Sequence, residues 1–203
     1  MKFSVILTIF FLLACGNNQV EVQTDSDTRA EEIANGTPEN TPIFSGTISG
    51  KVVHISDGDT LIIEDLTGYK TVIRLSGIDA PESDQSYGDI AKKTLENLIA
   101  NRSVSIETSK KDQYGRSVGK VTTGKRDICL EMIWLGMAWH FKRYEDEQPP
   151  ADRVSYAKAE LKARKVRRGL WRVPHPVSPW DFRDAERVKD AQLNPNTKNQ
   201  QNH

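Results

Sequence analysis

The sequence predicts an α+β protein: a five-stranded Greek-key β-barrel of the oligonucleotide-binding (OB) type with three helices. Two observations indicate this class. Five short β-rich segments are separated by turn residues, and a helical segment follows the third of them, with two more after the fifth. The chain has 203 residues, which suits one such domain with additional tails.

The first three strands are predicted in the segments FSGTISGKVVHI, DTLIIED and KTVIRLSGI, with turns at SDGD and DLTG. In the third strand Val72 and Arg74 alternate with Ile73 and Leu75, which predicts one polar-containing and one apolar face. The segments RSVSIETS and SVGKVTT predict the last two strands, joined by KKDQYGR.

Three helices are predicted where apolar residues recur every three or four positions. The predicted buried faces are Ala91, Leu95 and Leu98 in residues 88–101, Ile128, Met132, Leu135 and Trp139 in residues 127–139, and Val154, Ala157 and Leu161 in residues 151–166. Cys129 lies in the second of these patterns, where we expect a small buried hydrophobic residue.

The folded domain is predicted to span residues 44–183. Residues 1–14 have one lysine and a short apolar run, which predicts a secretory signal, and the following LLAC resembles the lipobox of bacterial lipoproteins. We therefore expect lipidation at Cys15 and anchoring to a membrane of the cell envelope, outside the cytoplasm, in the outer membrane where one is present. Residues 15–43 and 184–203 are polar and predict a disordered tether and a disordered tail.

Formal net charge is zero, so overall charge indicates no particular partner, and the four histidines are too scattered to indicate a zinc site. Carboxylates do occur where predicted strands meet turns. Asp59 lies in SDGDT, and Asp79 follows the third strand, just before Pro81 disfavours a helix. SDGDT can be a simple turn, but if the strands are neighbours the two carboxylates form an oxygen site suited to Ca²⁺ or Mg²⁺.

Two arginines accompany these carboxylates. Arg74 lies in an apolar strand, so it either faces solvent, pairs with a carboxylate such as Glu82, or contacts a phosphate. The KKDQYGR segment, which can be a polar hairpin alone, places Tyr114 near Arg116, an arrangement able to stack on a base and neutralise charge. Together these groups are the ones that phosphodiester hydrolysis requires.

Four segments together resemble the thermonuclease, or staphylococcal-nuclease-like, family. They are DGDT at 57–60, IRLSGIDAPE at 73–82, DQYGR at 112–116 and GMAWHFKRY at 136–144. The stretch RRGLWRVPHPVSPWDFR at 167–183 resembles the C-terminal part of many bacterial members. The resemblance covers about residues 44–183, in the order that the family has.

The resemblance implies a Ca²⁺-dependent nuclease that cleaves single-stranded or frayed DNA and RNA and leaves 3′-phosphate ends, and we expect the protein to be a monomer. By position it implies metal ligands at Asp59, Asp79 and the carbonyl of Ala80, a general base at Glu82, phosphate-binding arginines at Arg74 and Arg116, a nucleotide contact at Tyr114 and a base-stacking surface at Tyr144. Gln113 departs from the pattern, since the best-known members have a lysine there. Two other readings are a non-catalytic binding module, which leaves the set of Arg74, Glu82 and Arg116 unexplained, and a structural calcium-binding lipoprotein.

Overall fold

The computed structural model describes residues 46–193, and a closed β-barrel occupies its centre. The barrel strands are β1 (Gly46–Ile55), β2 (Thr60–Glu64), β3 (Lys70–Leu75), β5 (Ser103–Lys111) and β6 (Ser117–Thr123). Their order is β3-β2-β1-β5-β6, and a parallel pairing of β3 with β6 closes the barrel. The predicted OB-type α+β fold is therefore confirmed.

Three two-residue strands complete the β-structure of the described residues. β7 (Arg126–Asp127) extends the sheet beside β6, while β4 (Ile78–Asp79) pairs with β8 (Trp139–His140). In β3, Ile73 and Leu75 are buried while Val72 is exposed, as the alternation predicts. β4 begins three residues after the end of β3, so its pairing with β8 fixes the chain where the predicted site residues occur.

Four α-helices pack around or beside the barrel in the described part of the chain. They are α1 (Gly88–Ile99), α2 (Ile128–Trp134), α3 (Pro150–Lys165) and α4 (Pro179–Leu193), with 3₁₀-helices at Lys142–Glu147 and Gly169–Arg172. The side chain of Asp127 caps α2 by accepting a hydrogen bond from the amide of Leu130. None of the helices within residues 46–193 is both long and apolar enough to cross a bilayer.

Two of the predicted helical faces differ from the structure. α2 ends at Trp134, so Leu135 is its C-terminal cap and Trp139 belongs to β8 instead of the helix. Gly136 causes the break, because its φ of +69° is left-handed and a Cβ there would lie 2.2 Å from the carbonyl oxygen of Arg168.

In α3 the predicted face was also wrong. Val154 and Leu161 are exposed, and the helix instead buries Tyr156, Ala159, Glu160 and Ala163. This different face of α3 can be buried because its polar groups have partners. Tyr156 donates a hydrogen bond to Asp127, and Glu160 forms ion pairs with Lys142 and Arg164. In α1, by contrast, Ala91 and Leu95 are buried as predicted, and Cys129 in α2 is fully buried, with a pKa that burial raises to about 12.

The boundary predicted at residue 183 falls inside α4. Residues 184–193 are helical, so the predicted disordered tail starts too early, while residues 194–203 lie outside the described part. Three other predictions also fall on residues that the structure does not describe: the signal segment 1–14, the lipidated Cys15 and the tether up to residue 43.

Candidate active site

A cleft of about 860 Å³ opens where β3 and β5 end and β2 and β6 begin. All eight site residues predicted within the domain line it: Asp59, Arg74, Asp79, Ala80, Glu82, Tyr114, Arg116 and Tyr144. The structure therefore brings together residues that are up to 85 positions apart along the chain.

The turn between β1 and β2 positions Asp59 through local hydrogen bonds and close packing. Asp57 Oδ1 accepts a 2.9 Å hydrogen bond from the amide of Asp59. Gly58 lies so close to two alanines that a Cβ there would be 2.6 Å from the Cβ of Ala80 and 2.8 Å from that of Ala91. Only glycine allows this approach without a shift, so the turn is fixed against the segment that carries Asp79.

Arg74 holds the two predicted metal ligands together. It faces Thr60 across the β2–β3 pair, and its Nη2 lies 3.0 Å from Asp59 Oδ2 and 2.8 Å from Asp79 Oδ1. Its Nη1 donates to the carbonyl oxygens of Leu75 and Ile78 at 2.9 and 3.0 Å. Arg74 therefore pairs with Asp59 and Asp79 and not with Glu82. Its half-buried guanidinium is the counter-ion of two buried carboxylates.

Asp59 is buried beside more negative than positive charge, with one arginine shared between it and Asp79. Burial raises its pKa to about 7, the guanidinium of Arg74 opposes this, and the neighbouring carboxylates of Asp57 and Asp79 raise it further. Asp59 also accepts hydrogen bonds, at 2.7 Å from the amide of Ala80 and at 3.2 Å from the Thr60 hydroxyl. One arginine shared between two buried carboxylates leaves a site that additional cationic charge would stabilise.

A residue that the sequence did not predict supplies part of that charge. Arg183 of α4 places Nη2 2.8 Å from Asp79 Oδ2 and Nη1 2.6 Å from Glu82 Oε1. Carboxylates and guanidinium groups thus alternate in one continuous network of ion pairs: Asp59, Arg74, Asp79, Arg183 and Glu82.

Arg116 also lines the cleft and lies immediately before β6. Asp112 holds it through a 2.7 Å contact from Oδ2 to Nε, while Asp112 Oδ1 accepts from the amides of Tyr114 and Arg116. Partial burial opposes the charged form of Asp112, but the hydrogen bonds and charge of Arg116 lower its pKa. The Arg116 Nη1 reaches the Thr60 hydroxyl at 3.5 Å, which connects it to the Asp59 side of the cleft.

The two predicted tyrosines are exposed on the walls of the cleft. Tyr114 is 75% exposed, with its ring centre 5.4 Å from the guanidinium carbon of Arg116. Tyr144 is 46% exposed, and Lys110 Nζ lies 4.8 Å from its ring centre. Exposed aromatic rings beside cationic groups are surfaces on which nucleic-acid bases stack.

The donor atoms of the cleft fit a hard divalent cation in their chemistry. Asp59 and Asp79 offer carboxylate oxygens within 3.0 Å of one Arg74 nitrogen, and Ala80 follows Asp79 in the chain and donates its amide to Asp59. Calcium takes six to eight oxygen ligands, so water or substrate oxygens would complete its shell. Among residues 46–193 no group of three or more His, Cys, Asp or Glu side chains is arranged as a metal cluster, so the protein alone supplies only part of this shell.

The sequence contained one signal for the missed residue. Ser178, Pro179 and Asp181 form the pattern of a helix start: a capping serine, a proline in the first turn and an acid three residues after the cap. The structure shows this cap, with the Ser178 hydroxyl bonded to the amide and carboxylate of Asp181. A helix beginning there would carry Arg183, but its contact with Asp79 depends on tertiary packing alone.

An OB-type barrel with carboxylates, arginines and exposed aromatic rings in one cleft is the arrangement of a phosphodiester-hydrolysing nuclease. Comparison with known proteins agrees with this class. The sequence profile of the family described as "Staphylococcal nuclease homologue" matches residues 72–173, about half of the chain. The chain belongs to this family.

Similar proteins occur in bacteria and plants. An "Uncharacterized endonuclease" of Haemophilus influenzae is 36% identical over 141 residues, covering 70% of this chain and 76% of that protein. A "Micrococcal nuclease" of Shigella flexneri is 36% identical over 148 residues, covering 68% of this chain and 82% of that protein. A "Probable staphylococcal-like nuclease" of Oryza sativa subsp. japonica is 38% identical over 137 residues, which cover 68% of this chain and only 34% of the rice protein.

Proposed function

We propose that this protein is a Ca²⁺-dependent endonuclease that hydrolyses single-stranded or frayed DNA and RNA and leaves 3′-phosphate ends. The observation that carries the proposal is the convergence of Asp59, Asp79, Glu82 and Arg116 in one cleft. The relatives named as endonuclease and micrococcal nuclease support the reaction class. The metal, the range of substrates and the product ends follow from the family resemblance.

Asp59, Asp79 and the carbonyl of Ala80 would hold the calcium ion. When bound, the ion supplies Lewis-acid polarisation of a phosphoryl oxygen and offsets the charge that develops during hydrolysis. Glu82, half-buried on the cleft wall, would accept a proton from the attacking water or orient it. General-base help of this kind contributes typically ~10²–10⁴ in rate.

The two predicted arginines differ in how free they are to contact phosphate. Arg74 donates hydrogen bonds to the carbonyl oxygens of Leu75 and Ile78 and to Asp79, and it forms an ion pair with Asp59, so its main role is to hold the two carboxylates together. Arg116 commits Nε to a carboxylate and makes one long Nη1 contact, which leaves further donors facing the cleft. We therefore assign the principal contact with the transition-state phosphate to Arg116.

The direct test is cleavage of single-stranded DNA and of RNA, each with Ca²⁺ and with excess chelator. We expect cleavage only with Ca²⁺, and products that need phosphatase treatment before a polymerase can extend their 3′ ends. Glu82→Gln should lower kcat by about 10²-fold or more. Glu96→Gln is the matched control, because Glu96 lies on α1, outside the cleft, and pairs with Lys93. Binding of DNA without cleavage under any metal condition would instead indicate a non-catalytic binding module.

We also propose that the protein acts as a monomer anchored through a lipid on Cys15, outside the cytoplasm. The support is the LLAC sequence at the end of a short apolar run. Mass spectrometry of the purified full chain should find an acylated N-terminus at Cys15, and Cys15→Ser should release the protein from membranes. An unacylated N-terminus beyond residue 15 would refute the anchor without affecting the nuclease proposal.

A further inference from the structure

The helix that carries Arg183 is built to start at a defined place. Ser178 is its N-cap: its carbonyl oxygen accepts the first helical hydrogen bond from Phe182 at 3.0 Å, and its hydroxyl bonds to Asp181. Pro179 occupies the first turn, where its fixed φ favours the helix. The start of α4 is therefore set locally, which fixes the position of Arg183 one turn later.

Three contacts attach this helix start to the active-site side of the domain. The indole of Trp180 stacks on Phe141, with ring centres 5.5 Å apart and planes at 29°, and meets Trp139 edge-on. Gln85 Nε2 donates a 2.7 Å hydrogen bond to the carbonyl oxygen of Val177, just before the helix. Because Gln85 Oε1 also accepts from the amide of Glu82, the same side chain joins the helix start to the segment of the proposed general base.

Arg183 spans two carboxylates that have different tasks. Its Nη1 lies 2.6 Å from Glu82 Oε1 and 3.3 Å from Asp79 Oδ1, and its Nη2 lies 2.8 Å from Asp79 Oδ2. Both terminal nitrogens of Arg183 therefore donate hydrogen bonds to the Asp79 carboxylate, and one of them also donates to Glu82. A single planar guanidinium thus determines where Glu82 lies relative to Asp79.

We propose that Arg183 is a positioning residue of the active site. It holds the Glu82 carboxylate beside Asp79 and partly offsets the negative charge into which the metal binds. The inference rests on the proposed nuclease function and extends it, because a residue of α4, which lies outside the barrel, would then contribute to the active site. The alternative is that Arg183 only attaches α4 to the barrel.

The charge of Arg183 has a consequence that simple attachment does not. A positive group in contact with Asp79 competes with a cation for the same carboxylate. Removing it while keeping a polar side chain, as in Arg183→Gln, should therefore tighten calcium binding, by about tenfold if the charge is screened as in water. A helix that merely became loose would leave the affinity unchanged or weaken it.

The contact with Glu82 predicts the kinetic effect. Once Glu82 is no longer held, a correct orientation of its carboxylate is rarer, so kcat should fall by about tenfold to a hundredfold. KM should change far less, because Arg116 and the cleft tyrosines remain. Arg183→Lys keeps the charge but not the planar fork, so it should keep calcium affinity near that of the wild type and recover only part of kcat.

The experiment compares the full chain with Arg183→Gln, Arg183→Lys and Lys189→Gln. Lys189 is the matched control, because it lies on α4, pairs with Glu186 and does not line the cleft. Calcium affinity is measured by titration calorimetry without substrate, kcat and KM with single-stranded DNA, and folding by circular dichroism and thermal denaturation. We expect tighter calcium binding with lower kcat in Arg183→Gln alone.

Unchanged affinity and unchanged kcat in folded Arg183→Gln would overturn the proposal and leave attachment of α4 as the only role. Weaker calcium binding in both Arg183 variants would also overturn it. Should Arg183→Gln fail to fold, Arg183→Lys still decides, because wild-type kcat in that variant contradicts a need for the planar fork. If the wild-type protein binds calcium but cleaves nothing, the nuclease proposal fails, while the affinity comparison still tests the competition between Arg183 and the cation.

Discussion

Replacing Asp59 by Asn tests whether the cleft contains a buried carboxylate short of positive charge. Asp59 is 6% exposed, and burial raises its pKa to about 7 in the absence of calcium. In the unfolded chain the same carboxyl group has a pKa of about 3.9. Between these two values the folded protein keeps a proton that the unfolded chain has released. Its free energy of unfolding therefore falls as the pH rises through this window.

The size of the effect follows from this difference in pKa. A fully developed proton difference changes the free energy of unfolding by about 1.4 kcal/mol per pH unit. From pH 5 to pH 8 the wild-type protein should lose roughly 3 kcal/mol relative to Asp59→Asn, which has no proton to release at this position. The amide oxygen of the variant can still accept the 2.7 Å hydrogen bond from Ala80, so we expect the variant to be the more stable protein at pH 8 without calcium.

The assay is urea denaturation in calcium-free buffer at pH 5, 6, 7 and 8, reported as the difference between variant and wild type. Asp146→Asn is the control, because it removes a carboxylate that is 95% exposed and lies outside the lining of the cleft. With calcium at ~100 times its Kd the wild type should gain about 2.7 kcal/mol, and Asp59→Asn much less. A difference that does not change with pH, or that grows in favour of the wild type, would refute the account of Asp59.

Three further changes test other parts of the structure. Gly58→Ala should cost about 1–3 kcal/mol in thermal denaturation, because the new methyl would lie 2.6 Å from the Cβ of Ala80; wild-type stability would contradict the tight turn. Arg116→Ala should lower kcat/KM by about 10²-fold or more with little change in melting temperature, and a wild-type rate would leave Arg116 a structural role only. Trp180→Ala should expose α4 to limited proteolysis and lower kcat, whereas a resistant helix would show that other contacts hold it.

Much of the candidate site was predictable because it depends on short-range features. Asp59 and Arg74 are brought together by the pairing of two consecutive strands, and Asp79 follows the second of them within five residues. A hairpin register is set by nearby residues, so a pattern of turns and alternation is enough to predict the contact. The unexpected feature is that Arg74 is occupied by carboxylates, since the sequence alone left solvent, Glu82 and phosphate as alternatives.

The rest depended on tertiary contacts. The helical period that included Trp139 was accidental, because Gly136 needs a left-handed φ and ends α2 early. The face of α3 was misjudged because buried Tyr156 and Glu160 find polar partners on other elements, which periodicity of apolar residues does not record. Arg183 contacts a carboxylate more than a hundred residues earlier in the chain, and no local pattern indicates such a contact.

The parallel pairing that closes the barrel has a consequence for how the active site comes into being. Arg74 is opposite Val118 in that pairing, and Arg116 lies just before the first paired residue of β6. The two arginines therefore come to line one cleft only when segments far apart in sequence pair, a step with high loop-closure entropy that slows folding. Recovery of nuclease activity during refolding should consequently lag behind helix formation and report the moment at which the barrel closes.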